Sequence, residues 1–392
     1  MTSPYGRDVR LMLRAALALF VFTVLVGILN GTDLVDFDRK TLLTHVHAGT
    51  LGWITMSVLA GAIWLFSSDE REPQNYIVIL ARVVPLAITA YALAFLTTFG
   101  VARPILGMTV GILILSGFLW VLGQSRGRVL SVPHAGLLVA LAMSVVGATL
   151  GVLLGYMVAT PDAGLPESLQ AAHPAAMVVG FLVPVGMSFI EWALDPESIR
   201  RRASIAGWLQ VGLPFLGGLM AVVGLLMNIV PLLILGTPLE IIGLVILAVR
   251  MRSQLLSANP MAPTPARNGL MALIFLAVNI ALLVYLINAY FSQDLQPPER
   301  TLEALDHSIF VGVMTNGIFA LIARFRGRIS EVADHVVFWG LNLGVAGFLT
   351  GLLLDNNWII RISTPILGLA LLHGIATAFM ALGRPPQDSS MA

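Results

Sequence analysis

The sequence contains no cysteine, and charged residues make up 11% of it. Without cysteine, disulfide bonds, thiolate metal sites and cysteine-ligated iron–sulfur clusters are all excluded. A soluble domain of 392 residues needs far more charge on its surface, whereas 57% of these residues are hydrophobic and the mean hydropathy is +0.90. The net charge of +1 argues against nucleic acid as a partner. We therefore predict an integral membrane protein whose surroundings are membrane lipid.

The lengths of the apolar runs predict how often the chain crosses the membrane. A hydrocarbon core of about 30 Å is crossed by roughly 20 apolar residues of helix. On this criterion the chain is all-α, with a single transmembrane domain over residues 1–392 and twelve spans. The predicted spans are 11–29, 43–66, 77–99, 104–123, 133–157, 172–193, 206–229, 231–249, 269–291, 306–324, 336–354 and 359–382. The first span lacks a small-residue cleavage site, so we interpret it as a retained helix rather than a signal peptide.

The distribution of basic residues between the loops predicts the orientation of these spans. With the N-terminus in the cytoplasm, five basic residues fall outside: Arg39, Lys40, Arg103, Arg300 and Arg361. Seventeen fall inside: Arg7, Arg10, Arg14, Arg71, Arg82, Arg126, Arg128, Arg200, Arg201, Arg202, Arg250, Arg252, Arg267, Arg324, Arg326, Arg328 and Arg384. This bias predicts a multi-pass protein of the bacterial inner membrane with both termini in the cytoplasm.

Four of the seven histidines lie near the starts of three predicted spans that enter the membrane from its outer side. His45 and His47 begin the second span, His173 begins the sixth and His307 begins the tenth. These spans are four apart in order, which predicts a chain built in thirds. Glycines follow the histidines and would let a flat macrocycle or another helix approach the backbone closely. These glycines are Gly49, Gly52, Gly180 and Gly312.

An imidazole inside a membrane is costly to bury and commonly functional. It is also a ligand that haem iron and copper accept without adding charge to an apolar site. The alternative for each of these histidines is an interfacial residue that hydrogen-bonds to water or lipid headgroups. Residues two apart on a helix are rotated by about 200°, so His45 and His47 cannot ligate one metal ion on an intact helix. We expect them to face two clefts, one toward the tenth span and one toward the sixth.

Other polar residues within the spans leave alternatives open. Glu240, near the middle of the eighth span, is either a proton relay or cation partner, or a protonated side chain hydrogen-bonded to a neighbouring helix. His134, His335 and His373 lie toward the inner side. These three either form a second metal or haem site or are individually placed at the interface.

With histidines at these helix starts, the chain resembles the catalytic subunit of the haem–copper oxidase superfamily, which includes oxidases and nitric oxide reductases. The resemblance implies three pseudo-symmetric arcs of four helices, with haem ligands on helices two and ten and copper ligands on helices six and seven. It implies that His45 or His47, together with His307, ligates haem b. It also implies that His173, followed by proline, begins a copper-binding motif, so that His47, His173 and His307 are candidate metal ligands.

The chain also departs from the pattern of that superfamily. Met177 stands where many oxidases have a tyrosine, and the stretch 205–230 around the seventh span contains no histidine. The tenth span has one histidine where oxidases have two, and the third and fourth spans contain no carboxylate like that of a proton channel. The resemblance therefore implies a single haem b without a complete copper centre.

A second resemblance is to membrane haem–copper proteins of the nitric-oxide response. It is carried by the His-x-His at a helix start and by His307-x-x-x-Val-Gly-x-Met-Thr315, which runs on to Arg324-Phe-Arg-Gly-Arg328. Together the resemblances imply redox, nitric oxide or oxygen chemistry at haem, with an electron-donor protein or a small gas ligand as partner. Whether the chain is an oxidoreductase stays open. The alternative is a proton-coupled transporter that binds no haem and uses the histidines as proton couplers.

Overall fold

The computed structural model describes residues 3–67, 72–97, 100–293, 295–326 and 329–383, so that Arg71, Arg328, Arg384 and the end of the predicted span 77–99 lie outside the described residues. Within the described residues the regular structure is entirely helical, and twelve helices are long and apolar enough to cross a membrane. The predicted all-α fold with twelve spans is confirmed. The helices are α1 (Gly6–Gly31), α2 (Arg39–Phe66), α3 (Asn75–Ala94), α4 (Ala102–Ser125), α5 (Val132–Ala159), α6 (Leu169–Leu194), α7 (Ile205–Met227), α8 (Val230–Arg250), α9 (Pro265–Gln293), α10 (Glu299–Ile322), α11 (Glu331–Leu353) and α12 (Asn357–Leu382).

All twelve described helices begin before the apolar stretches that predicted them. The side chains of Asp38, Ser330 and Asn356 cap the first turns of α2, α11 and α12 by accepting hydrogen bonds from backbone N–H groups. Such caps satisfy donors that have no partner within the helix. At α2 the backbone and hydroxyl of Thr41 both donate to Asp38, and these bonds lower the pKa of its carboxyl. Polar capping therefore extends the helices beyond the membrane-spanning residues.

Helices α2, α6 and α10 form the centre of the bundle. In their most apolar stretches 83%, 89% and 72% of residues are buried, against at most 50% in the other nine of the twelve described helices. In each third of the chain the first helix packs on the central one and the last two pack on each other. Between thirds, α4 packs on α5, α8 on α9 and α12 on α1. The same contacts thus recur three times around the centre, although the description as three arcs stays a prediction.

Each central helix is α-helical at both ends and π-helical in between. The π segments are Ala48–Thr55 in α2, Ala176–Leu182 in α6 and Ser308–Thr315 in α10. The π-helix, with hydrogen bonds from i to i+5, is rare and occurs mostly as single turns, frequently at functional sites. Three π segments at matching places in three successive thirds mark a repeated feature of the centre, directly beyond the histidines.

The fifth residue of every π segment is a glycine, namely Gly52, Gly180 or Gly312. A Cβ atom at any of these positions would collide with a side chain of the helix that precedes the central one. The colliding side chains are Leu19 of α1, Met143 of α5 and Phe275 of α9. The glycines therefore admit a neighbouring helix, which is one of the two roles that the sequence predicts for them.

The two ends of the bundle differ in their charged residues. We call the end at which α2, α6 and α10 begin the histidine end, and the end at which they finish the arginine-rich end. At the histidine end, Arg361 of α12 pairs with Asp33 beyond α1 at 2.6 Å. Arg300 of α10 pairs with Asp355 beyond α11 at 2.5 Å. Exposed pairs of this kind contribute roughly 0–1 kcal/mol, so they add little to the packing of the helices.

Arginines at the arginine-rich end form buried ion pairs between helices. Arg267 of α9 is 1% exposed and donates to Asp334 of α11 at 2.8 Å. Arg250 of α8 donates to the buried Glu191 of α6 at 2.7 Å. Breaking a buried pair leaves an uncompensated charge, which is strongly destabilising. These pairs therefore hold α8 to α6 and α9 to α11.

Aromatic side chains pack the three central helices against one another at the arginine-rich end. The rings of Trp64 in α2 and Trp192 in α6 stack with their centroids 5.4 Å apart, and Phe325 beyond α10 meets Trp64 edge-on at 5.4 Å. The guanidinium of Arg324 lies over Trp192 and donates to its carbonyl oxygen at 2.7 Å. The ends of the central helices are thus packed against one another.

We predict that Gly218→Ala in α7 destabilises the protein. The added methyl group would collide with the backbone of Gly180 in the π segment of α6, and such overpacking costs about 1–3 kcal/mol. The melting temperature of the protein in detergent should therefore fall. Gly212→Ala on the same helix, where no atom lies within 4 Å, is the matched control. It should leave the melting temperature unchanged or slightly higher, and an equal loss in both variants would contradict the close approach of α6 and α7.

Candidate functional site

Four histidines gather at the histidine end as two pairs. The imidazoles of His45 in α2 and His307 in α10 lie within electrostatic range of each other. Those of His47 in α2 and His173 in α6 form a second such pair. All four side chains are half-buried. The two histidines of α2 thus have different partners, in keeping with the rotation between residues two apart on a helix.

His47 and His307 are held in the same way. Each Nδ1 donates a hydrogen bond to the carbonyl oxygen four residues earlier, at 2.8 Å for His47 and 2.7 Å for His307. In a neutral imidazole this bond places the proton on Nδ1 and leaves the lone pair of Nε2 available. The His47 ring stacks on Phe95 at 4.1 Å, and the His307 ring meets Phe348 edge-on at 4.9 Å. Both imidazoles therefore have a fixed orientation and a free ligating nitrogen.

The two partner histidines contact the helix that precedes each central one. Nδ1 of His173 donates to the carbonyl oxygen of Gly147 in α5 at 2.9 Å. The Thr23 hydroxyl of α1 donates to the carbonyl oxygen of His45 at 3.4 Å, whereas the buried Nδ1 of the His45 ring lacks a partner. An unpaired buried nitrogen typically costs about 1–3 kcal/mol. The Nδ1 of His45 is therefore a buried nitrogen without a hydrogen-bond partner.

The donor set at this end matches a cofactor that needs two protein ligands. Among the residues that the structure describes, no three or more His, Asp and Glu side chains are grouped so that they could hold a metal ion. A bare zinc or copper ion takes three or four protein ligands, whereas haem iron needs only one or two because the macrocycle supplies the rest. Two imidazoles are the number of protein ligands that haem iron would need, and both haem and copper at these histidines stay predictions.

The remaining histidines have separate surroundings. His134 is buried against Ser131 and the carbonyl oxygen of Leu65, at 2.7 and 3.3 Å. His335 accepts a hydrogen bond from Arg267 at 3.1 Å, and His373 is exposed on α12. The structure does not bring these three together, so the inner metal or haem site considered for them gains no support.

Trp53 joins the two helices that carry the first pair. Its Nε1 donates to Oγ1 of Thr315, the last residue of the π segment in α10, at 3.2 Å. The indole also stacks on Phe20 of α1 with centroids 4.6 Å apart, and it is 1% exposed. This contact sets the spacing of α2 and α10 one to two turns below the histidines.

The sequence did not predict the aromatic rings beside the histidines. Phe95 lies directly after α3, and Phe348 lies within α11, so each belongs to the helix that follows a central one. Neither has a local spacing that relates it to a histidine. The signal that could have found them is the repeat itself, because both occupy the third helix of their third of the chain.

No protein-family model matches the chain, and no curated protein matches it. The resemblances therefore rest on their short motifs and stay predictions. Within the motif at α10, His307 faces His45, Gly312 packs on Phe275 and Thr315 bonds Trp53. Arg324 reaches the Trp192 carbonyl, and Arg328 lies outside the described residues.

We predict that Thr315→Val destabilises the protein, because it removes the acceptor of the buried Trp53 Nε1. Leaving a buried donor unpaired costs about 1–3 kcal/mol, which a thermal melt in detergent should show as a lower transition temperature. Thr315→Ser keeps the hydroxyl and is the matched control, with a smaller loss from the missing methyl group. If valine and serine were equivalent at this position, the hydrogen bond would not contribute.

Proposed function

We propose that the chain is a haem-binding membrane protein in which His45 and His307 are the axial ligands of one haem b. The observation that carries this proposal is the pairing of two imidazoles at the starts of two central helices. The hydrogen bond from His307 to the Glu303 carbonyl leaves its Nε2 free for a metal. The buried Nδ1 of His45 has no hydrogen-bond partner, so this imidazole has a polar atom that a bound group could satisfy.

Several features of the chain suit a macrocycle between α2 and α10. The ring of His45 lies over Gly27 of α1, at 3.5 Å from where a Cβ atom would be, so no side chain at that position occupies the space beside it. Phe348 packs edge-on against the His307 ring with the centroids 4.9 Å apart. The hydrogen bond of the second imidazole nitrogen fixes the ring orientation and raises the basicity of a metal-ligating histidine. These residues would hold and orient the haem in an apolar environment.

The arrangement best supports electron transfer. Haem held by His45 and His307 would supply one-electron chemistry. Nitric oxide or oxygen would be its small gas ligand, and His45, whose Nδ1 has no hydrogen-bond partner, would be the less firmly held of the two histidines. The ideas that copper binds at His173 and that the chain is an oxidoreductase rest on the resemblances alone. An electron-donor protein is the partner that this role requires.

We predict a Soret band and reduced α and β bands typical of haem b in the full-length protein purified after expression with haem supplementation. His45→Ala and His307→Ala should each abolish the haem bound between α2 and α10. His373→Ala is the control, because His373 is exposed on α12, and it should leave the spectrum unchanged. A purified, folded protein with no haem absorbance would overturn the proposal.

The proton-coupled transporter is favoured by a single side chain. Glu240 of α8 is 2% exposed, and its Oε2 has no hydrogen-bond partner, as a carboxyl that takes up and releases a proton within the membrane could be. Its side chain packs beside Gly217 of α7, and no observed contact links it to the histidine pairs. A haem-free protein whose uptake activity is lost in Glu240→Gln would support this alternative.

We propose that the arginine-rich end faces the cytoplasm of a bacterial cell, which places the histidine pairs in the outer half of the inner membrane. Reporter fusions test this orientation. Green fluorescent protein fused after residue 383 should fluoresce, and alkaline phosphatase fused at the same point should be inactive. Alkaline phosphatase inserted between α11 and α12, at Asp355, should be active. The reverse pattern at both points would contradict the orientation and leave the haem ligands unaffected.

A further inference from the structure

The two histidine pairs occupy equivalent positions in the repeat. Counted back from the first residue of each π segment, His47 and His307 lie one residue before it, and His45 and His173 lie three residues before it. Each third packs on the next around the centre, so α10 corresponds to α2 and α2 corresponds to α6 in the repeat. In this correspondence His307 matches His47 and His45 matches His173. The pair His307 and His45 is therefore equivalent to the pair His47 and His173.

The surroundings of the first member of each pair agree with this relation. His307 and His47 both donate through Nδ1 to a carbonyl oxygen one turn back along their own helix. Both rings pack on a phenylalanine from the next helix in the chain, Phe348 for His307 and Phe95 for His47. Two imidazoles with the same hydrogen bond and the same aromatic neighbour are oriented by the same local structure.

The surroundings of the second member agree as well. The helices α1 and α5 can be aligned at Leu19 and Met143, which contact the π-segment glycines. Four residues on are Thr23, whose hydroxyl donates to the His45 carbonyl oxygen at 3.4 Å, and Gly147, whose carbonyl oxygen accepts from the His173 ring at 2.9 Å. The preceding helix therefore contacts both histidines at the same level.

The same alignment places a glycine beneath each of these two rings. Eight residues beyond Leu19 and Met143 lie Gly27 and Gly151. A Cβ atom on Gly27 would contact Cε1 of His45 at 3.5 Å, and one on Gly151 would crowd Cε1 of His173 at 2.8 Å. Both glycines thus let the imidazole pack closely against the preceding helix.

The third cleft, between α6 and α10, shows that the fold does not require histidine at these positions. The equivalent residues are Ala175, one before the π segment of α6, and Leu305, three before that of α10. At the level of Thr23 and Gly147, α9 has Asn279, which donates to the Leu305 carbonyl and to Ser308, both at 2.9 Å. In this third of the chain an amide of the preceding helix bonds the central helix where the other two have imidazoles. Packing of the centre therefore does not depend on histidine at these positions.

We propose that the cleft between α2 and α6 binds a second haem, with His47 and His173 as its two axial ligands. This proposal rests on the proposed function, since it assigns to the second pair the ligand proposed for the first. Arg103 of α4 lies over Phe95, with its guanidinium carbon 5.0 Å from the ring centroid, and within electrostatic range of His47. It supplies a positive charge beside this cleft, suited to the carboxylates of a haem.

The test is the number of haems per chain in the full-length protein, from a pyridine haemochrome assay and amino-acid analysis of the same sample. We expect about two haems in the unmodified protein and in His373→Ala. We expect the ratio to be halved in each of the variants His45→Ala, His307→Ala, His47→Ala and His173→Ala. The haem that remains in each single variant reports that the protein is folded. The double variant His45→Ala with His47→Ala should bind none.

The possible outcomes separate the two proposals. One haem per chain that persists in His47→Ala and His173→Ala overturns the second site and leaves the first standing. One haem that depends on His47 and His173 but not on His45 and His307 overturns the proposed function as assigned. Absence of haem in the folded protein overturns both, and copper that is lost with His173 in place of a second haem overturns the second site alone.

A conservative variant keeps the test decisive if an alanine variant cannot be purified. His47→Met and His173→Met retain an axial ligand of haem. Each should keep about two haems per chain and change the absorption and magnetic circular dichroism of one of them, while the signal of the other haem is unchanged. Two haems with no spectral change in either methionine variant would show that these histidines are not ligands.

Discussion

The contact between a π-segment glycine and a side chain of the preceding helix sets the position of each central helix. Helices in a membrane gain little from hydrophobic association and rely on close packing, which small residues permit. Gly52, Gly180 and Gly312 meet Leu19, Met143 and Phe275 at one level in the three thirds of the chain. Because these contacts recur, the backbones before and after them are placed equivalently, and the histidine pairs inherit their geometry from this packing.

The π segments change the rotation of the central helices next to their histidines while keeping backbone groups hydrogen-bonded. Every backbone polar group within a bilayer must find a partner in the protein, and a π segment keeps these partners while turning the helix by a different amount per residue. At the ends of two segments, Thr55 and Thr315 donate to the carbonyl oxygens of Thr50 and Phe310, five residues back. These two hydroxyls thus give the carbonyl oxygens of Thr50 and Phe310 hydrogen-bond partners within the segments.

Hydropathy predicted the twelve spans correctly, because a membrane helix is recognised from the length of its apolar run. Helical rotation predicted that His45 and His47 face two different clefts, but not which of them lies beside His307. The equivalence of the pairs was not predicted, since His47 and Gly52 are five residues apart but His173 and Gly180 are seven. The two pairs become equivalent only when each histidine is counted from the start of its π segment. No sequence pattern predicted the π segments. Contacts between residues distant in sequence, such as Trp53 with Thr315, 262 residues apart, could not be predicted from the sequence either.

The two histidine pairs lie at a similar depth, which determines how charge exchange between them responds to the membrane potential. Both pairs lie at the same end of the bundle and flank α2 at positions two residues apart in sequence. Moving one charge across a membrane changes its energy by about 2.3 kcal/mol per 100 mV of membrane potential. Charge exchanged between two groups at the same depth moves parallel to the membrane plane and does no such work. Charge exchange between the two pairs would therefore be insensitive to the voltage across the membrane.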